Sequence, residues 1–293
     1  AISYQHYDLN NYGFNLFTFS NGSARNLSYT VGLTRNNTRI DPIYPTGGSN
    51  FSVTAKFSPP YSLFDGVDYS ALKEERNDSQ AITRDGSFSE SERQAASERI
   101  GEIDQERFKW LEFYKINFKA DWYTELSKNL VLRPSVEFGF LGAYNNDRGI
   151  IPFERFFVGG DGLGNFALDG RQVVQLRGYP NQSIAPIDSE TGRPSNDGGS
   201  IYNKFSLELR YPITLKASAK IYALGFLEAG NSFNSFRNFN PFDIKRSAGV
   251  GVRIFMPAFG LLGIDFGRRF DDIPGQPGSN GAWETHFIIG QQF

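Results

Sequence analysis

Glu284-Thr285-His286-Phe287-Ile288-Ile289-Gly290-Gln291-Gln292-Phe293, at the carboxyl end, sets Phe287, Ile289 and Phe293 on one face of an extended segment. His286, Gly290 and Gln292 fall on the other. Side chains alternate across a strand, so this spacing presents an apolar row opposite a polar one. A strand of that kind, stopping on a bare aromatic, suits the closing strand of a barrel in lipid, whose outside meets acyl chains and whose lumen is polar. A soluble domain can also end in a strand, though seldom on an unprotected Phe.

The same alternation recurs upstream. Leu27, Tyr29, Val31 and Leu33 oppose Asn26, Ser28, Thr30, Gly32 and Thr34, and Phe51, Val53, Ala55 and Phe57 oppose Ser52, Thr54, Lys56 and Ser58. The longest run sets Phe108, Trp110, Tyr114, Ile116, Phe118, Ala120 and Trp122 against Lys109, Lys115, Asn117, Lys119 and Asp121. Leu130 to Phe140, Phe205 to Ile213, Val250 to Ile254 and Leu262 to Phe266 repeat the pattern, and segments near 2–19 and 220–236 read as strands less cleanly. The sum is about ten strands, and a barrel strand needs only about 9–11 residues, with alternate ones apolar, to cross a bilayer. An antiparallel sandwich alternates in the same way. Against it stand full charges opposite large aromatics on strand after strand. Trp110, Trp122, Tyr123, Phe140 and Tyr211 also lie near strand ends, as interfacial girdles would.

The connections come in two sizes. Short turns at 124–129, 214–219 and 257–260 alternate with long links at 60–107 and 145–202. A transmembrane barrel has that asymmetry, with short turns on the periplasmic side and long loops outside. Residues 60–107 are polar and read as an extracellular insertion, in which Ser89 and Glu92 form a capping box opening a helix through about Glu106. The link 145–202 holds Phe153, Phe156, Phe157, Val158, Leu176 and Tyr179 among many glycines. A loop that apolar is expected to fold back into the lumen.

Composition excludes other classes. With 30 Lys+Arg against 32 Asp+Glu the chain has no basic field for nucleic acid. It contains no Cys, so neither a disulfide framework nor thiol chemistry is available. His6 and His286, the only two histidines, are far apart and give no metal site or triad. Gly159-Gly160-Asp161-Gly162-Leu163-Gly164 lacks the Lys-Ser/Thr and the strand–helix setting of a nucleotide loop. No enzyme, metal or cofactor is expected.

Pro152-Phe153-Glu154-Arg155-Phe156-Phe157-Val158-Gly159-Gly160, followed after an insertion by Leu176-Arg177-Gly178-Tyr179, resembles the sixth extracellular loop of the BamA superfamily. Tyr44-Pro45-Thr46-Gly47-Gly48-Ser49 resembles its Pro-Thr-x-Gly turn, Phe226-Leu227-Glu228-Ala229-Gly230-Asn231 its Phe-x-Asp/Glu-x-Gly strand, and Phe293 its carboxy-terminal β-signal. These motifs span 44 to 293 in the family's order. The likeness is greatest to the branch that inserts β-barrel proteins into the outer membrane.

The resemblance implies an all-β, antiparallel transmembrane β-barrel of about sixteen strands, of which about ten are present here, with the long loop inserted in the lumen. The family's periplasmic POTRA domains and its first strands fall outside this sequence. Arg177 is expected to reach into the lumen and pair with Glu208 and Glu228 on the wall, with Gly178 allowing close approach and Tyr179 packing beside it. Glu208 lies on a polar face with Ser206 and Arg210. Glu228 shares a face with Phe226 and Gly230, so its inward orientation rests on the resemblance. Pro152, Phe153, Phe156, Gly159 and Gly160 form the loop motif. Phe287, Ile289, Gly290, Gln291 and Phe293 form the lateral seam and carboxy-terminal signal, where Gly290 and Gln291 would weaken pairing.

The implied role is assembly of other barrels by lateral gating and strand templating. The implied partners are nascent outer-membrane β-barrel proteins, accessory lipoproteins, periplasmic chaperones, lipid and lipopolysaccharide, and the remainder of the same barrel. Two alternatives stay open: an exporter of one secreted partner from the same superfamily, and an unrelated closed ten-strand outer-membrane channel.

Overall fold

A computed structural model describes residues 1–10, 22–39, 41–163, 170–188, 192–258 and 260–290. Ten strands form one antiparallel sheet in the order β1-β2-β3-β4-β5-β8-β9-β10-β11-β12. They are β1 (Ile2–Leu9), β2 (Gly22–Asn36), β3 (Gly47–Phe57), β4 (Tyr114–Ser127), β5 (Leu130–Gly142), β8 (Ile201–Lys216), β9 (Ala219–Phe233), β10 (Lys245–Met256), β11 (Gly260–Arg269) and β12 (Trp283–Gly290). Two short parallel strands, β6 (Phe156–Val158) and β7 (Gln172–Val174), lie in the link between β5 and β8. No helix among the described residues is long and apolar enough to cross a membrane.

Which side is buried decides between sandwich and barrel. On β8, Leu207, Leu209, Tyr211 and Ile213 are 39%, 43%, 58% and 62% exposed, whereas Glu208 and Arg210 on the alternate face are buried. The alternation is therefore that of a soluble sheet turned inside out. The apolar row faces outward, as lipid contact requires, and the charges face a polar interior. Val250, Phe266, Phe287 and Ile289 extend the exposed row, while Arg253, Asp265 and His286 extend the buried one.

The chain divides into two compact units. The first contains Ala1–Val31, Ala55–Lys115 and Leu141–Phe153. Here β1 pairs with β2 from Ile2–Tyr29 to Leu9–Gly22. Helices α1 (Tyr69–Arg84) and α2 (Glu90–Phe108) form a hairpin. Asp68 caps α1 by accepting from the backbone of Ser70 and Ala71. Ser89 and Glu92 form the reciprocal capping box that opens α2, where the sequence placed it. The helices are joined by the Arg76 guanidinium on both oxygens of Asp104 and by Arg99 on Glu75. The sequence reading placed no helix over α1, which has no capping box of the Ser89–Glu92 kind to announce it.

The run from Phe108 to Trp122 is not one strand. Phe108 ends α2, Trp110 makes an isolated bridge to Arg25, and β4 begins only at Tyr114. The register breaks because Glu112 is drawn inward, where it accepts from the backbone and hydroxyl of Ser62 at 2.7 and 2.8 Å. Leu111 and Phe113 are buried beside it. Trp110 lies outside the named strands and packs on Tyr61 with ring centroids 5.1 Å apart.

The second unit contains Gly32–Thr54, Ile116–Phe140 and Glu154–Phe293. Strands β8 to β12 pair here in antiparallel register, interrupted in β8 by a bulge between Pro212 and Thr214. Tyr44, Val131, Tyr222, Leu224 and Phe226 form its buried apolar cluster.

Candidate functional site

Arg177 occupies the tip of the link between β7 and β8 and is almost wholly buried. Three strands supply its acceptors. Its Nη2 donates to Glu208 on β8 at 2.8 Å and to Glu228 on β9 at 2.7 Å, and its Nη1 to Asp265 on β11 at 3.2 Å. Glu228 also accepts from Arg177 Nε at 3.0 Å and from the Arg177 backbone N–H at 2.7 Å. The guanidinium lies 3.8 Å from the centroid of the Phe226 ring. A planar fork with five donors and an aromatic face satisfies all of these partners at once, which an ammonium could not.

Glu228 does face inward, as the resemblance required. It shares that face with Phe226 because the aromatic is itself part of the site, as a platform beneath the guanidinium. An apolar residue on the inner row was what made β9 hard to read from alternation alone.

A second tier of cations holds the carboxylates. Arg210 and Arg133 bond Glu208, Arg133 also bonds Asp121 at 2.6 Å, Arg253 takes both oxygens of Asp265, and Lys204 approaches Glu228. Five cations thus interleave with four carboxylates on one buried face. In such a network no charge is left unpaired, and deleting a member strands its neighbours. The Tyr44 hydroxyl, from the turn before β3, reaches the carbonyls of Arg210 and Asn129 at 2.9 and 2.8 Å.

The two residues after Arg177 secure the tip. Gly178 has φ +88°, and a Cβ there would stand 2.8 Å from that of Ser247. Its N–H donates to His286 Nε2 on β12 at 2.7 Å, which places the imidazole proton on Nδ1. Tyr179, fully buried, donates to the carbonyl of Arg246 at 2.9 Å. Just beyond β11, Asp271 accepts two bonds from the Arg246 guanidinium. That contact holds the Asp271 carboxyl below its ordinary range despite some burial.

Arg177, Gly178, Tyr179, Glu208 and Glu228 therefore meet at one point. Earlier in the loop, Phe156 packs on Tyr202 at 4.8 Å, and Gly159 and Gly160 take positive φ values of 119° and 83°. Phe153, in the first unit, packs on Tyr7, and Pro152 precedes it partly buried. On β12, Phe287 and Ile289 are exposed and Gly290 pairs with Leu261. Gln291 and Phe293 lie outside the described residues.

Sequence reasoning missed Asp265, Phe226 and His286. Asp265 was visible on a polar face opposite Ile264 and Phe266, but nothing in the sequence aimed it at Arg177. His286 was set aside because the other histidine, His6, is far away in sequence, whereas its use here is as a single hydrogen-bond acceptor.

An inside-out antiparallel sheet, with a loop arginine locked onto its charged interior, defines an integral membrane β-barrel protein. Residues 1–293 match the Omp85 superfamily domain, and the chain belongs to that family of integral outer-membrane barrels. The outer membrane protein assembly factor BamA of Neisseria meningitidis serogroup B is 27% identical over 146 residues, covering 49% of this chain and 16% of that protein. The crystal structure of BamA from Haemophilus ducreyi lacking POTRA domains 1-3 superposes with a TM-score of 0.53 at 17% identity, covering 90% of this chain and 42% of that one. The chain thus spans less than half the length of either relative, and the structural likeness speaks for the fold.

Proposed function

We propose that this chain is the carboxy-terminal part of the barrel of an outer-membrane β-barrel assembly insertase. The observation that carries the reading is the tip lock: Arg177 on three wall strands, with the adjacent Gly178 bonded to β12. In this reading the loop fills the lumen and holds β8, β9 and β11 in register, so that opening is confined to the terminal strand. β12 pairs with β11 on one side and stands at an end of the strand order. Its free edge would pair with an incoming strand by β-augmentation, and its exposed Phe287 and Ile289 would keep that exchange in lipid. No covalent step is needed, because closing a barrel satisfies backbone groups that lipid cannot.

The partners that follow are nascent barrel proteins, accessory lipoproteins, periplasmic chaperones, lipopolysaccharide, and the earlier strands of the same barrel. The test is depletion of the native protein with quantitative proteomics of the outer membrane. A collective fall of many unrelated barrels is the expected result. Loss of one secreted protein, with other barrels intact, would make it a dedicated exporter. A photocrosslinker replacing Ile289 tests the mechanism separately: adducts with nascent strands are expected, and their absence during active assembly rejects templating by β12.

A further inference from the structure

The outward face of the second unit carries a feature the lock does not use. Across β2, β3 and β4 a groove of about 430 Å³ opens beside Leu33, Arg35, Phe51 and Trp122. It is hollow because the residues between them, Ser49 and Ala120, are small. Leu33 shares the exposed apolar row of β2 with Val31, and Trp122 is 44% exposed. Arg35 continues that same row one residue before β2 ends. Among the described residues its guanidinium has no hydrogen-bond or ion-pair partner, unlike the arginines of the buried face.

A lipid-facing arginine is costly at mid-bilayer and tolerable only at the level of the headgroups. The groove lies at that level. Arg35 adjoins the 37–46 connection at the end of β2, and Trp122, five residues before β4 ends at Ser127, lies in the half of β4 that leads to the tight β4–β5 turn of Lys128 and Asn129. These belong to the short-turn end of the sheet, and short turns mark the periplasmic side of outer-membrane barrels. An indole at the membrane interface supplies the amphipathic wall expected there.

We infer that this groove binds a glycerophospholipid of the periplasmic leaflet. The phosphodiester sits on the Arg35 guanidinium, the glycerol region lies over Ser49 and Ala120 beside the Trp122 ring, and an acyl chain runs up the track of Leu33 and Phe51. A guanidinium matches phosphate oxygens bidentately, and its charge complements theirs. Lipopolysaccharide occupies the opposite leaflet and is excluded by the level of the site. The bound lipid would anchor the short-turn end of β2 to β4.

The test uses the full-length protein in nanodiscs of phosphatidylethanolamine and phosphatidylglycerol, doped with the same lipids bearing a photoreactive diazirine near the glycerol. Adducts are mapped by mass spectrometry. Labelling should concentrate on residues 31–35, 49–51 and 118–122 relative to the exposed Leu227 of β9. Arg35→Gln should lower it at least about fivefold, the loss of a charge-assisted contact, with labelling at Leu227 unchanged. Ala120→Leu, which fills the hollow and leaves the charge, should do the same, and it carries the test should Arg35→Gln fail to fold. Equal labelling of both regions in the native protein, or full labelling in either folded variant, would overturn the inference.

Discussion

Each unit is organised around one fully buried arginine, Arg148 in the first and Arg177 in the second, and the two are satisfied in different ways. Arg148 donates through Nε to the carbonyl of Arg107 at 2.9 Å, through Nη2 to the carbonyl of Trp110, and through Nη1 to Glu112 at 3.1 Å. These three acceptors lie within six positions, 107–112, at and just beyond the end of α2. A helix leaves its last carbonyls unsatisfied and its C-terminus partly negative, so a cation placed there is a local staple. Arg177 has carboxylate acceptors on three strands, spread from Glu208 to Asp265. Its lock exists only when those strands are in register and the tip is seated. The first arginine reports on a helix end; the second reports on the assembled wall.

That contrast can be broken by experiment. Arg177→Glu should have the largest effect, because it adds a carboxylate among Glu208, Glu228 and Asp265. Breaking such a buried network costs about 3–5 kcal/mol, or more than about a hundredfold in folded protein. Heat-modifiable electrophoretic mobility and rescue of depleted cells are the readouts, and a fully active Arg177→Glu protein would dispose of the lock. Arg148→Met should cost about as much locally, since it strands Glu112 and two carbonyls. Yet it should leave the folded-barrel mobility intact and speed proteolysis between α1 and α2. If it abolished barrel folding as Arg177→Glu does, the distinction between the two sites would fall.

Smaller effects sharpen the comparison. His286→Ala removes the acceptor for the Gly178 N–H and should cost about 1–3 kcal/mol. Hydrogen exchange at Gly178 and Tyr179 should quicken while that of α1 and α2 stays unchanged, and unaltered protection at Gly178 would show that β12 does not hold the tip. Ser89→Ala should cost about 1 kcal/mol, confined to the start of α2 and read by exchange of its first turn. The smallest is pH-dependent. The Asp271 carboxyl is held below its unfolded value of about 3.9, so its contribution is present above that pH and fades as pH falls through the folded value. Asp271→Asn should lower the melting temperature slightly at neutral pH, and the gap should close in acid. A gap that widened in acid would contradict the Arg246–Asp271 contact.

The sequence by itself determined the inside-out sheet, since a period of two with charges opposite aromatics allows few other environments, and its motif order led to the family. It also located the capping box at Ser89 from the residue types themselves, and the pairing of Arg177 with Glu208 through the family resemblance. Tertiary structure decided the rest. Alternation cannot tell which row of β9 is inner when Phe226 shares the face of Glu228; only the guanidinium above the ring resolves it. Nor could it find the break at Glu112, which follows from Arg148, thirty-six residues away, drawing that carboxylate inward. Asp265 and His286 joined the site through strand pairing across β11 and β12, a long-range register that no local window of sequence contains.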